Sequence, residues 1–168
     1  MERKRSNFRL LATYLYAAFF ATYLFIGFQP AGKSYEISGQ LSIPSVSLNS
    51  PVTDIALEGK TLASPESIVG AYSINSTKTL LIAHSTTAFK NLSSIQIGDK
   101  IYYENQVYQV TDLKTLSKNE IDMRSVLSAT KQPTLVLMTC AGTSLGNHDA
   151  THRLLVTAQI TEKDVIID

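Results

Sequence analysis

Between Leu10 and Phe28 the chain runs for 19 residues without a charge. At a rise of about 1.5 Å per residue, a helix over this stretch is roughly 30 Å long, the thickness of a bilayer's hydrocarbon core. This run divides the chain into an N-terminal piece, residues 1–9, the apolar segment 10–28, a short linker 29–36 and a remainder 37–168 of ordinary single-domain size. Arg3, Lys4, Arg5 and Arg9 precede the segment, against Glu2 alone. That bias places the N-terminus in the cytoplasm and everything after Pro30 outside, in a single-pass cell-membrane protein. A cleaved signal peptide is the competing reading, but its apolar core usually runs about 7–15 residues, so the length here favours a retained anchor. A buried helix of a soluble protein is the third reading.

The remainder is patterned for strands. Leu41, Ile43, Val46 and Leu48 give an extended stretch broken by Pro44, and Pro51 to Leu57 gives another. Thr79 to Ala83 is a short continuous apolar run, as expected of a buried strand. Lys100–Glu104 and Val107–Thr111 flank Asn105-Gln106 and read as a hairpin. Thr134–Thr139 and Leu154–Ile160 add two more runs rich in β-branched residues. Helical signals are few. Ser64-Pro65-Glu66-Ser67 is a candidate for a single capped turn. Ser117-Lys118-Asn119-Glu120 has capping-box spacing and precedes Ile121, Met123, Val126 and Leu127. Several short strands with few helices predict an all-β domain, either a closed barrel or a sandwich.

Composition narrows the function classes. The hydrophobic fraction of 44% is ample for a core, and the net charge is +1. With no basic face and no aromatic residues interleaved with Lys or Arg, nucleic acid is not a predicted partner. One cysteine, Cys140, excludes an intrachain disulfide and a four-cysteine zinc site. Glu58, Asp99, Glu104 and Asp112 are scattered without an oxygen-ligand spacing, so no required metal is predicted.

A lone cysteine has two readings: a small buried hydrophobe, or a reactive thiol. Compartments outside the cytoplasm favour disulfides over thiols, and an apolar run gives way to Ala141-Gly142-Thr143-Ser144 at this point. Cys140 is therefore expected at a strand end beside a loop, where catalytic residues concentrate. An ordinary cysteine thiol is only a few per cent thiolate at neutral pH, so a nucleophile here needs a base or a cation nearby. His84 ends the run LLIAH in a setting like that of Cys140. Arg153 opens the run RLLVTAQI, and beside a thiol its donor fork suits an oxyanion or a substrate carbonyl. Taken singly, His84 reads equally as a strand-end residue and Arg153 as a surface charge. His148 and His152 match no zinc spacing with Cys140; they are expected to form the polar wall of a loop.

These residues carry a resemblance. The chain resembles the sortases, cysteine transpeptidases of the bacterial cell envelope, whose signature is Thr-Leu-x-Thr-Cys with a histidine upstream and an arginine about a dozen residues downstream. Here the phrase is Val136-Leu137-Met138-Thr139-Cys140, with Val in place of the first Thr, and Arg153 lies 13 positions on. His84 stands in Ala-His-Ser where Gly-His is more usual. Leu41 to Val52 is similar to the family's opening strand, and Ile95 to Val110 to its Gly-Asp-x-Ile-x-Tyr hairpin.

The resemblance implies an eight-stranded β-barrel with Cys140, His84 and Arg153 catalytic on one rim. It implies a thioacyl-enzyme formed from a Leu-Pro-x-Thr-Gly-like sorting signal of a secreted protein. The acyl group then passes to an amine acceptor, a cell-wall precursor or a pilin lysine. Thr139, Ala141, Ser85 and His152 are the expected substrate contacts. The short segment before the first strand carries no Asp-Pro-aromatic lid, which favours an anchoring enzyme over a pilin polymerase. Two rival readings are a non-catalytic membrane-tethered β-domain that binds an envelope partner, and a sortase-like hydrolase.

Overall fold

A computed structural model of the chain describes residues 34–162 except 60, 147 and 148. The N-terminal piece, the apolar segment expected to be an anchor, most of the linker and His148 lie outside the described residues. Among the described residues no helix is long and apolar enough to cross a membrane.

In chain order the strands are β1 (Gly39–Ile43), β2 (Leu48–Asp54), β3 (Leu57–Glu58), β4 (Thr61–Leu62), β5 (Val69–Asn75), β6 (Lys78–Ile82), β7 (Lys100–Tyr103), β8 (Gln106–Ser117), β9 (Thr134–Gly146) and β10 (Asp149–Glu162). Eight of them close into a barrel in the order β1-β2-β5-β6-β9-β10-β8-β7, while β3 and β4 form a separate two-stranded ribbon. The all-β, eight-stranded closed barrel is the architecture expected.

Six of the joins are antiparallel; β2 with β5 and β6 with β9 are parallel. A parallel join cannot be closed by a hairpin and needs a long crossover. The first crossover carries the β3–β4 ribbon. The second contains β7, β8, a 3-10 turn (Lys118–Glu120) and the short helix α1 (Met123–Val126). The two parallel joins thus send the excursions from which a groove wall is built.

Alternation along β9 explains the core. Leu135 and Leu137 point into the barrel, where Leu81, Val52 and Val156 are also completely buried. Val136 and Met138 point outward into a second cluster with Leu80 and Ile82, covered by Leu62, Val126 and Leu127. Strands β6 and β9 are therefore buried on both faces. That is why TLLI and TLVLM read as continuous apolar runs rather than alternating ones.

Several local expectations change. The β7–β8 turn is Glu104-Asn105, one residue earlier than Asn105-Gln106. Both residues have positive φ, 49° and 58°, as a two-residue type I′ hairpin requires, and β8 then runs on to Ser117, past the expected end at Thr111. Ser64–Ser67 forms no helix; a bend covers residues 66–68. The Ser117/Glu120 capping box is present, but it caps only the 3-10 turn; α1 starts again from Asp122, whose side chain accepts from Arg124 N. Strand β5 was not expected, because Gly70 and the polar residues of Ala71–Asn75 dilute its alternation. Gly70 is needed where it stands: a Cβ there would lie 2.8 Å from Pro65 Cδ.

Candidate active site

The largest revision concerns the segment after Cys140. It was expected to be a loop, with Cys140 at a strand end. Instead β9 continues to Gly146, and β10 begins at Asp149, so Cys140 lies inside a long antiparallel hairpin. Arg153 pairs directly with Cys140 across it. A β-bulge region follows: between His152↔Ala141 and Asp149↔Gly146 the register shifts twice, and β9 holds the extra residues. Gly142, at φ 76°, takes the bend; a Cβ on it would sit 2.6 Å from His152 Nδ1. Bulges of this kind bend the strand and re-aim nearby side chains.

His84 reaches the same place from β6. The last paired position of the parallel β6–β9 join is Ile82↔Met138; His84 and Cys140 are each two residues further on. Thr139, buried, donates its hydroxyl to Ala83 O at 2.8 Å and so extends the tie between the two strands by one residue. Beyond it the chain turns, with Thr87 N and Phe89 N both donating to His84 O at 3.2 Å, and buried Phe89 anchors that turn in the core. His84, Cys140 and Arg153 consequently occupy adjacent positions across three neighbouring strands. By alternation they share the outer face with Met138 and Ile82, rather than a rim of the barrel.

All three line one groove of about 800 Å³. Ile82, Met138 and Thr139 contribute to its floor, Leu57 and Leu62 of the ribbon to one side, and Met123, Arg124 and Leu127 to the other. The walls are mainly aliphatic, and Leu57 and Met123 are exposed at the mouth. Cys140 is half-buried. Such a cleft fits an extended peptide with an apolar side chain, with a thiol, an imidazole and a guanidinium where its backbone would pass.

The guanidinium is held from behind. Arg153 Nη1 donates to Ala150 O and His152 O, each at 2.9 Å, and Nη2 to Asp149 Oδ1 at 2.6 Å. Lys118 Nζ reaches Asp149 Oδ2, also at 2.6 Å. The hydrogen bonds from Lys118, Arg153 and Ala150 N hold the Asp149 carboxyl well below the usual carboxylate range, so it is anionic at neutral pH. Neither Asp149 nor Lys118 was anticipated from sequence.

Of the other residues expected to touch substrate, Thr139 joins the groove, with its hydroxyl engaged by Ala83. Ser85, Ala141 and His152 do not line it. Ala141 and His152 pair with each other, one residue out of phase with Cys140 and Arg153, and so face the opposite side of the hairpin; His152 Nδ1 lies 2.8 Å from Thr151 Oγ1. Among the described residues no group of three or more His, Cys, Asp or Glu is arranged to hold a metal ion. Asp112 pairs with Lys114, and Asp99 accepts from Ser45 Oγ and Gln96 N.

A family model described as "Sortase domain" matches residues 41–161. Among solved structures, sortase A of Listeria monocytogenes superposes with a TM-score of 0.57 at 22% identity, covering 75% of this chain and 88% of that one. A lid mutant of Corynebacterium diphtheriae sortase A gives 0.61 at 22% identity, covering 81% and 76%. A pilus-related sortase C of Group B Streptococcus gives 0.59 at 25% identity, covering 78% and 70%. No curated protein matches the chain significantly in sequence.

Proposed function

The chain belongs to the sortase family, and from that premise we propose that it is a cysteine transpeptidase with Cys140 as nucleophile, His84 as proton carrier and Arg153 as electrostatic support. The substrate is a secreted protein with a Leu-Pro-x-Thr-Gly-like sorting signal. Its apolar residue seats against the aliphatic walls of the groove, and its scissile carbonyl lies over Cys140. The Cys140 thiolate attacks that carbonyl carbon, forming a C–S bond, and the oxygen takes up the negative charge within reach of the Arg153 fork. Collapse breaks the C–N bond, and His84 gives a proton to the departing amine. The thioester splits one difficult amide exchange into two easier steps.

In the second step an amine enters where the first one left. It attacks the thioester carbonyl, His84 takes its surplus proton, a new C–N bond forms and the C–S bond breaks, returning the thiolate. The acceptor is an amine of a cell-wall precursor or a pilin lysine. The apolar segment at 10–28 tethers the enzyme to the membrane with its catalytic domain outside, where secreted substrates emerge.

The observation that carries this reading is the convergence of three strands: Arg153 paired with Cys140, His84 at the matching position beyond β6, and all three on one peptide-sized groove. Cleavage of a labelled sorting-signal peptide by the full-length chain tests it. The Cys140→Ala variant is expected to lose turnover completely while keeping the wild-type melting transition; undiminished cleavage by that variant excludes the thiol mechanism.

A further inference from the structure

We propose that Asp149 is a positioning residue for Arg153: it fixes the guanidinium so that its remaining donors face the groove. The inference rests on the transpeptidase reading above. An arginine side chain carries five N–H donors. Three are engaged away from the groove, two by the carbonyls of Ala150 and His152 and one by Asp149. The bonds to Ala150, His152 and Asp149, counted among the described residues, leave one N–H on Nη2 and the one on Nε for a bound carbonyl or oxyanion. Carbonyls alone hold one end of the fork; the short charge-assisted bond to Asp149 sets its rotation.

Asp149 is in turn held from three directions, by Arg153, by Lys118 and by Ala150 N. Its place depends on the bulged register at the end of the hairpin. In a regular strand, residues four apart lie about 13 Å apart, too far for a routine ion pair. Here the two shifts in register curl the hairpin until Asp149 Oδ1 meets Arg153 Nη2. An acid beside a catalytic cation would ordinarily cancel the field the cation is there to supply. Lys118 offsets that: two cations against one anion leave the cluster with net positive charge, so Arg153 is immobilised without its potential over Cys140 being neutralised. Lys118 also comes from the far side, from the 3-10 turn that follows β8, and so ties the cluster to a second element.

The test compares wild type, Asp149→Asn and Asp149→Ala in the full-length protein. Guanidinium NMR is the first arm: wild type is expected to show separate, slowly exchanging Nη resonances for Arg153, and both variants a single averaged one. The second arm is steady-state cleavage of a sorting-signal peptide. If Asp149 aligns a group that acts in the transition state, kcat falls about ten- to a hundredfold while KM stays within about twofold. A merely structural role would instead lower the fraction of Cys140 that can be acylated and leave kcat per active site unchanged. Asp149→Asn, nearly isosteric, carries the comparison if Asp149→Ala does not fold. A guanidinium as fixed in the variants as in wild type overturns the proposal, and so does a kcat per active site that is unchanged or raised. If wild type cleaves no peptide, that failure falls on the transpeptidase reading, and the NMR arm alone decides whether Asp149 fixes Arg153.

Discussion

At the scale of residues, the account turns on the register that sets Arg153 opposite Cys140. A lysine at position 153 would keep the charge and lose the planar fork. Loss of one well-placed oxyanion donor costs roughly a hundredfold or more in kcat, and Arg153→Lys is expected to show a deficit of that order in peptide cleavage. Near-normal turnover would reduce Arg153 to a surface cation. A short motif and its spacing single out Cys140, His84 and Arg153 in the sequence, and the fold brings all three onto one groove. Ala141 and His152 were misplaced relative to the groove because they are adjacent in sequence to Cys140 and Arg153. In a strand, the next residue points to the other face, so sequence adjacency is the wrong guide to adjacency in a site. Asp149 was missed for a related reason: an i,i+4 pair signals contact on a helix, and only the unforeseen bulges make it a contact on a strand.

At the scale of elements, the groove depends on α1 and the segment that follows it. Their anchor is Lys78, a buried lysine at the start of β6, whose Nζ donates to Ser128 O at 3.0 Å and to Ser125 O at 3.5 Å. Burial pushes the lysine's pKa down, while the carbonyls at the helix end favour its cation. Lys78→Met keeps the bulk and removes both bonds. The wall bearing Met123, Arg124 and Leu127 should loosen, so KM for the peptide rises several-fold while kcat changes little; an unaltered KM would show that this wall does not contact substrate. Neither the anchor nor the length of β9 and β10 could be read locally. Gly142, Thr143 and Ser144 look like loop residues; in the hairpin Ser144 pairs with Ala150, while Gly142 and Thr143 are the extra residues of the bulge. The continuous apolar run of β6, by contrast, reads from sequence as a buried strand, because burial on both faces removes the alternation.

At the scale of the molecule, strand patterning alone left a barrel and a sandwich both open, and the family resemblance supplied the barrel. Closure is a non-local property: it needs β1 to meet β7 and β6 to meet β9, and no local periodicity encodes either join. Leu137, completely buried, stands in that second join between β6 and β10. Truncating it should cost about 2–5 kcal/mol, and Leu137→Ala is expected to lower the unfolding temperature and the cleavage rate together, since the same join brings His84 to Cys140. Loss of stability with full activity per folded molecule would mean that the site survives without that packing.

The central claim is that Cys140 becomes the acyl carrier, and intact-mass spectrometry of the full-length chain, quenched in acid after mixing with Leu-Pro-x-Thr-Gly-like peptides, tests it most directly. The account predicts a thioester adduct on Cys140 carrying the peptide through its threonine, discharged when an amine is added. Cleaved peptide with no adduct on Cys140 under any quench time would contradict it.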